Sequence, residues 1–98
     1  MAGFVQIVEY RTSRFDEVMV MGEEYAASSG EFARRVTVTE DRDNPGTFRT
    51  IAEFESYEAA MENSKRPETA AFAETMLKLC DGPPTFYNLD VRQTFHIA

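Results

Sequence analysis

Residues 33–54 of the sequence are ARRVTVTEDRDNPGTFRTIAEF, and this stretch predicts an antiparallel pair of strands. Its first part, Ala33 to Glu40, alternates in polarity and is rich in β-branched residues, which favour strands. Asp41 to Gly46 combines Asp, Asn, Pro and Gly, the residues that most favour turns. Thr47 to Phe54 is again strand-like. Because only a turn separates the two strands, we expect them to pair directly as a hairpin.

The segments on either side of the hairpin predict a β-α-β-β-α-β order of elements. Helical spacing of apolar residues and good capping residues mark the helices, and Ser28-Ser29-Gly30 is expected to end the first of them. The predicted elements are strands over Phe4–Tyr10 and Thr85–Phe95 and helical segments over Phe15–Ala26, Tyr57–Ser64 and Pro67–Cys80. Right-handed crossovers in this order give the α+β ferredoxin-like fold, a four-stranded antiparallel sheet with helices on one face.

The second face of this sheet predicts a homodimer. No predicted helix covers it, yet it carries a set of apolar side chains. They are Val5, Ile7, Ile51, Tyr87, Leu89 and Val91. Stacking two such faces across a dyad would form a closed α/β barrel, so we expect residues 1–98 to be one dimeric α/β-barrel domain. We also expect an aspartate in place of Leu89 or Val91 to unfold the protein, because a buried unpaired carboxylate costs several kcal/mol.

Composition and charge narrow the possible partners. The net charge of -7 disfavours nucleic acid, and no apolar run approaches the ~20 residues of a membrane span, so neither partner is expected. Met1 to Phe4 lacks the features of a signal peptide, so none is expected. Cys80, the single cysteine, has no disulfide partner within the chain, which favours a cytoplasmic location. With one histidine and one cysteine, no metal site is predicted.

Residues 50–72, TIAEFESYEAAMENSKRPETAAF, carry a more specific pattern. A strand ends in an aromatic residue, a Ser-x-x-Ala helix start follows, and a polar residue stands four before a proline, with an aromatic beyond it. These positions are Phe54, Ser56 with Ala59, Asn63, Pro67 and Phe72. In this pattern, and over almost its whole length, the chain resembles the dimeric α/β-barrel superfamily, in particular its antibiotic-biosynthesis-monooxygenase-like branch.

The family that the chain resembles includes cofactor-free oxygenases that act on aromatic polyketides, haem-degrading enzymes, and many small proteins of unknown role. The haem-degrading members carry Asn, Trp and His at positions that correspond here to Tyr10, Phe54, and Phe72 or Ala73. The commoner pattern of the superfamily has His where this chain has Asn63. None of the haem-associated residues is present, so haem chemistry is disfavoured and no cofactor is predicted.

One candidate ligand pocket lies on the helix side of the sheet. If Phe54 faces the helices, period two places Thr50 beside it, and Tyr10 brings Gln6 to the same face. The candidate site residues are Gln6, Tyr10, Thr50, Phe54, Asn63, Phe72 and Asn88. Apolar walls with a few polar groups are typical of small-molecule pockets. The equally weighted alternative is a solidly packed core, in which Tyr10 packs simply against Phe54.

Two functions stay open at this point. One is a cofactor-independent monooxygenase-like or isomerase-like protein that acts on or binds a small hydrophobic or aromatic molecule. The other is a non-catalytic dimeric protein that binds small molecules or is structural. It is favoured by the lack of a Ser/His/Asp set and of a phosphate-binding loop, and by the position of His96, the only histidine, near the chain end. No catalytic residue is predicted.

Overall fold

The protein, described as a computed structural model over residues 3–28 and 33–97, has the predicted α+β ferredoxin-like fold. Its elements are β1 (Phe4–Arg11), α1 (Phe15–Ser28), β2 (Ala33–Glu40), β3 (Thr47–Phe54), α2 (Tyr57–Ser64), α3 (Pro67–Leu79) and β4 (Thr85–Asp90). The four strands form one antiparallel sheet in the order β2-β3-β1-β4. The predicted end of the first helix at Ser29 and Gly30 lies outside the described residues.

The register of the sheet fixes which residues share a face. Phe4 lies opposite Phe54, and Tyr10 lies opposite Phe48, so alternate residues of the paired strands point the same way. We call the side that contains these four aromatic residues the helix face, because the helices pack on it. The other side, which includes Val5, is the open face.

Local signals explain where several elements begin. Ser56 caps α2 by accepting a hydrogen bond from the Ala59 amide at 3.1 Å. Pro67 opens α3 at a position where its missing N–H is not needed. Between β2 and β3, Gly46 adopts a φ of 92°, a left-handed conformation that glycine tolerates best. The predicted hairpin is thereby confirmed.

The last strand is shorter than predicted. It ends at Asp90, whereas the sequence pattern extends to Phe95. One further ladder bond follows, from the Val91 amide to the Gly3 carbonyl at 2.9 Å. The reason is that β1, the neighbour of β4, itself begins at Phe4. Residues 92–97 consequently continue beyond the sheet, where they are exposed and have no strand pairing.

Two apolar clusters fill the space between the sheet and the helices. The first, which we call the Tyr10 cluster, has as its buried members Tyr10, Val18, Phe48 and Met76. The second, the Phe4 cluster, has as its buried members Phe4, Phe54 and Ala60. Because β1 and β3 are antiparallel, the two clusters lie at opposite ends of the same two strands.

The open face has an apolar centre, as the sequence predicts. Charged side chains surround this centre. Val5, Ile7 and Ile51 are half-buried, and Leu89 and Tyr87 are exposed. Around them lie ion pairs of Arg49 with Glu9 at 2.9 Å and with Asp41 at 3.0 Å, and of Arg35 with Glu53 at 2.7 Å.

The helices carry a strongly acidic outer surface. Their exposed carboxylates are Asp16, Glu17, Glu23, Glu24, Glu58, Glu62, Glu68 and Glu74. Lys78 is the one basic residue in the described part of the three helices. No helix in the described ranges is long and apolar enough to cross a membrane.

Candidate functional site

The side chains of Gln6 in β1 and Asn88 in β4 form a polar strip on the helix face. Along β1, Gln6 lies between Phe4 of one apolar cluster and Val8, which packs against the other cluster. The side-chain amide of Gln6 donates a hydrogen bond to the side-chain oxygen of Asn88, which lies in β4, at 2.9 Å. Asn88 thus lies on the same face of the sheet as Gln6.

Tyr10 forms the other polar pair of the helix face. Its hydroxyl lies 3.0 Å from the Thr50 hydroxyl, and its ring stacks on Phe48 with centroids 5.8 Å apart. Burial raises the pKa of the Tyr10 phenol, the hydrogen bond to Thr50 partly opposes this, and nearby Cys80 adds to the rise. Tyr10 is thus a neutral hydrogen-bonding group and not a phenolate at physiological pH.

Phe54 lies apart from Tyr10. It packs against Phe4, with ring centroids 6.4 Å apart, at the far end of the sheet. The alternative in which Tyr10 packs on Phe54 is wrong, because the two residues lie near the C-terminal ends of strands that run antiparallel. Phe48, the second residue of β3, lies beside Tyr10 instead.

Asn63 is a structural residue joining the three helices. Its side-chain nitrogen donates to the Tyr25 hydroxyl of α1 at 2.9 Å, and its side-chain oxygen accepts from Arg66 at 3.0 Å. Its backbone oxygen accepts from the Thr69 hydroxyl of α3 at 2.6 Å. Asn63 is only 7% exposed, so these bonds satisfy a polar side chain that the fold buries.

Phe72 belongs to the same junction. Its ring stacks on that of Tyr25 with centroids 4.4 Å apart, and the Tyr25 hydroxyl lies 2.7 Å from that of Thr69. Neither Tyr25 nor Thr69 is among the residues predicted from the sequence to form the candidate site. The available signal was the hydroxyl of Tyr25, because a tyrosine on a buried helix face usually bonds a partner.

The seven candidate residues therefore form separate groups. Tyr10 bonds Thr50 and Gln6 bonds Asn88, whereas Asn63 and Phe72 meet through Tyr25. Phe54 belongs to the Phe4 cluster. The polar strip is open to solvent at the β4 edge, where Phe86 is 53% exposed and Asn88 is also exposed.

Two surface depressions lie away from these residues. One, of about 310 Å³, is lined by Ser13–Glu17, and the other, of about 370 Å³, is lined by Glu40, Asp41, Arg42 and Pro45. Neither is lined by any of the seven candidates. Both are open hollows beside a turn or a helix start, and neither combines apolar walls with convergent polar groups as ligand pockets do.

Metal binding and thiol attack both depend on how His, Cys, Asp and Glu side chains are placed. Within them, no group of three or more His, Cys, Asp or Glu side chains is arranged to hold a metal ion. Burial raises the pKa of the half-buried Cys80 thiol, and Asp81 raises it further. A thiol with a raised pKa is a poor nucleophile, because the thiolate is the reactive form.

Comparison with known proteins gives a match in structure and not in sequence. No family model and no curated protein matches the sequence. A putative antibiotic biosynthesis monooxygenase from Caulobacter crescentus superposes with a TM-score of 0.82 at 13% identity, covering 94% of this chain and 92% of its own. SnoaB, a cofactor-independent oxygenase from Streptomyces nogalater, gives 0.81 at 16% identity, covering 96% and 97%.

A third similar structure shows how widely the fold is used. A conserved protein from Methanosarcina mazei superposes with a TM-score of 0.81 at 10% identity, covering 91% of this chain and 92% of its own. At these identities the comparisons show the fold alone. That fold is shared with antibiotic-biosynthesis-monooxygenase-like proteins, so the resemblance predicted from residues 50–72 is confirmed at the level of structure.

Proposed function

We propose that the protein acts on or binds a small hydrophobic or aromatic molecule without a cofactor, as a monooxygenase-like protein. The observation that supports this most directly is the polar strip between two aromatic clusters on the helix face. Apolar walls with a few placed polar groups suit a ligand that is mostly hydrocarbon with one or two oxygen atoms. The fold shared with a cofactor-independent oxygenase gives independent support.

The polar groups of the strip have bonding capacity left for a ligand. The bond between Gln6 and Asn88 uses one donor of the first residue and the acceptor of the second. The Gln6 carbonyl and the Asn88 amino group can therefore accept from and donate to a ligand edge. A planar molecule entering over Phe86 would meet both groups side by side.

Tyr10 is the residue that we propose for positioning a ligand oxygen. A hydroxyl can donate one hydrogen bond and accept others, so the bond to Thr50 leaves capacity. Its raised pKa keeps the proton in place, which makes Tyr10 a donor and not a general base at pH 7. The packing of its ring on Phe48 holds the hydroxyl in position.

The second candidate function is a non-catalytic binding or structural protein. The observation that favours it is the engagement of Asn63 and Phe72 in helix packing, which takes two of the seven candidates out of a ligand site. Asn63 bonds Tyr25 and Arg66 as a buried junction residue does. The remaining candidates then serve as hydrogen-bonded core.

Two measurements separate these functions. Native mass spectrometry of protein purified from its own host would detect a retained small molecule. Oxygen uptake with anthrone, a three-ring ketone, then tests catalysis: its central CH₂ is oxidised by O₂ to a second carbonyl, with one water released. Uptake above the protein-free rate supports the enzyme, binding without uptake supports the binding protein, and neither supports a structural role.

The site residue is tested by Tyr10→Phe, which deletes one hydroxyl and keeps the ring. We expect anthrone affinity to fall by roughly 2–10-fold, the worth of one hydrogen bond. Tyr87→Phe makes the same deletion on the open face and serves as the matched control. Unchanged affinity in Tyr10→Phe would leave Tyr10 as a core residue.

We further propose that the protein is a homodimer joined through its open face. The centre of that face is apolar, and around it three arginines accompany three carboxylates. These are Arg11, Arg35 and Arg49 with Glu9, Asp41 and Glu53. The face is therefore neutral although the chain carries -7, so two copies meet there without the repulsion that their other surfaces would cause. Sedimentation at micromolar concentration tests this, and a monomer mass would contradict it.

A further inference from the structure

Helix α1 has a glycine at the centre of its sheet-facing side. Gly22 follows Val18 by four residues and precedes Tyr25 by three, so helical spacing places all three on one face. Val18 packs in the Tyr10 cluster, and the Tyr25 ring stacks on Phe72. The neighbours of Gly22 on this face therefore fill their space with large side chains, whereas Gly22 offers only backbone.

The space in front of Gly22 is open. A Cβ atom added to Gly22 would have no atom outside its own helix within 4 Å. Solvent reaches this glycine, which is half-buried although Val18, one turn away, is 2% exposed. Because protein interiors are close-packed, a sheet-facing position without such neighbours marks a gap between α1 and the sheet.

The sheet shows the same gap from the other side. At its two ends, the helix face is buried under the Tyr10 cluster and the Phe4 cluster. Its middle residues are only half-buried, so the helices leave this part of the sheet open to solvent. They are Gln6 and Val8 of β1 with Thr50 and Ala52 of β3.

The course of α1 places Gly22 above this middle part. Val18, one turn before Gly22, packs in the Tyr10 cluster. Tyr25, about one turn after it, accepts a hydrogen bond from Asn63, and Ala60, about one turn before Asn63 in α2, belongs to the Phe4 cluster. α1 thus runs from one cluster toward the other. We call the space between Gly22 and the middle of the helix face the central gap.

The central gap suits a flat aromatic molecule. Val8 and Ala52 provide an apolar floor, and Gln6 brings the polar strip to its border. Because Gly22 has no side chain, a planar ring can approach the helix backbone closely. A ring between the floor and Gly22 would replace solvent on both of its faces, while a polar substituent at its edge could meet Gln6.

We propose that Gly22 determines the size of the ligand by admitting a fused-ring aromatic molecule beneath α1. This rests on the function proposed above and adds a specificity-determining residue in a helix. Glycine within a helix is less favourable than alanine, and an alanine here would meet no obstacle. The space that Gly22 leaves free, and not close packing, is therefore what this residue contributes.

The test compares Gly22→Ala and Gly22→Leu with a control on the outer side of the same helix. Ala27 is exposed and follows the exposed Val20 by seven residues, so Ala27→Leu adds bulk where no ligand is expected. Denaturant titration of the full chain gives the unfolding equilibrium constant. Equilibrium dialysis under argon gives the anthrone dissociation constant without oxidation of the ligand.

We expect Gly22→Ala to lower the unfolding equilibrium constant roughly two- to fivefold, because alanine is the better helix former. Gly22→Leu should stay folded, since the central gap can hold its side chain, and should raise the anthrone dissociation constant at least about tenfold. Ala27→Leu should leave anthrone binding unchanged. A residue that only packs the core would give the opposite result, a loss of stability in both Gly22 variants.

The outcomes separate the role of Gly22 from the proposed function. Anthrone binding of wild-type strength in a folded Gly22→Leu would overturn the role of Gly22 and leave the proposed function standing. A higher unfolding equilibrium constant in Gly22→Ala would show that the space is filled and would also overturn that role alone. Equal weakening of anthrone binding by Gly22→Leu and Ala27→Leu would do the same. Wild-type protein that binds no anthrone would overturn both.

Discussion

The two faces of the sheet use the same strands in different ways. On the helix face, Phe4, Phe48 and Phe54 are buried, and the polar pairs between strands are uncharged. On the open face, the apolar residues are smaller and partly exposed, and the polar pairs are ion pairs. Uncharged pairs are far cheaper to bury than charged ones. The helix face is therefore built to stay covered within one chain, whereas the open face keeps its charges at the rim.

The difference between the helix face and the open face should appear most strongly in Leu89→Asp. Sequence reasoning expects this change to unfold the protein, but Leu89 is 44% exposed in one chain, so water can hydrate the new carboxylate in a separated subunit. We expect Leu89→Asp to leave a folded monomer. The dimer dissociation constant should rise by roughly a thousandfold or more, because the interface would bury two unpaired carboxylates. Circular dichroism and sedimentation together check this. An unfolded chain would show that the open face is essential to the fold of one subunit.

The helix face should respond in the opposite way. Phe48→Ala removes a buried ring that stacks on Phe15, with centroids 4.3 Å apart, and on Tyr10. We expect the free energy of unfolding to fall by about 3–5 kcal/mol. Phe86→Ala, on the same face but 53% exposed, is the matched control and should cost about 1 kcal/mol or less. Denaturant titration measures both, and equal losses would mean that the edge of the face is as tightly packed as its centre.

A smaller effect is expected at the helix junction. Asn63→Ala removes the bonds to Tyr25 and Arg66 and should lower the free energy of unfolding by about 1–3 kcal/mol. Asn88→Ala, which removes an exposed amide of the polar strip, should change stability by about 0.5 kcal/mol or less. Unfolding curves of the two variants check this. Should Asn63→Ala keep full stability and lose ligand binding, Asn63 would belong to the ligand site after all.

The smallest effect is expected from acid pH on the open face. A hydrogen bond from Arg49 lowers the pKa of Asp41, and one from Arg35 lowers the pKa of Glu53. Carboxylates with a lowered folded-state pKa stabilise the fold above their ordinary pKa, and this is lost as the pH falls through the lowered values. The window is therefore below about pH 4. Because water reaches both pairs, we expect a shallow decline, and R35Q/R49Q should make it shallower still. An unchanged acid dependence in that variant would assign the decline to other carboxylates.

The fold was predictable because alternation and turn residues are local signals. The hairpin over residues 33–54 needs only its own sequence, and the open face follows from period two in β1 and β3. The end of β4 was not predictable in this way, because the pattern to Phe95 is strand-like throughout. Where the strand ends depends on where its neighbour begins, which is a property of the assembled sheet.

The candidate site was predictable in part for the same reason. The pairs Gln6–Asn88 and Tyr10–Thr50 follow from strand alternation and sheet order. The role of Asn63 does not, because its partner Tyr25 lies on another helix and the sequence gives no angle between helices. The pairing of Tyr10 with Phe48 depends on the register of the antiparallel strands β1 and β3. Knowing which residues end the two strands does not give that register.

The acidic coating of the helices bears on how large the assembly can grow. Joining two copies through their neutral faces leaves both helical layers outside, and each layer carries a strong excess of carboxylates over Lys78. Further association would bring like charges together across the new contact. For the proposed homodimer, the charge distribution would thus limit the stoichiometry, since it would permit a pair and oppose further stacking.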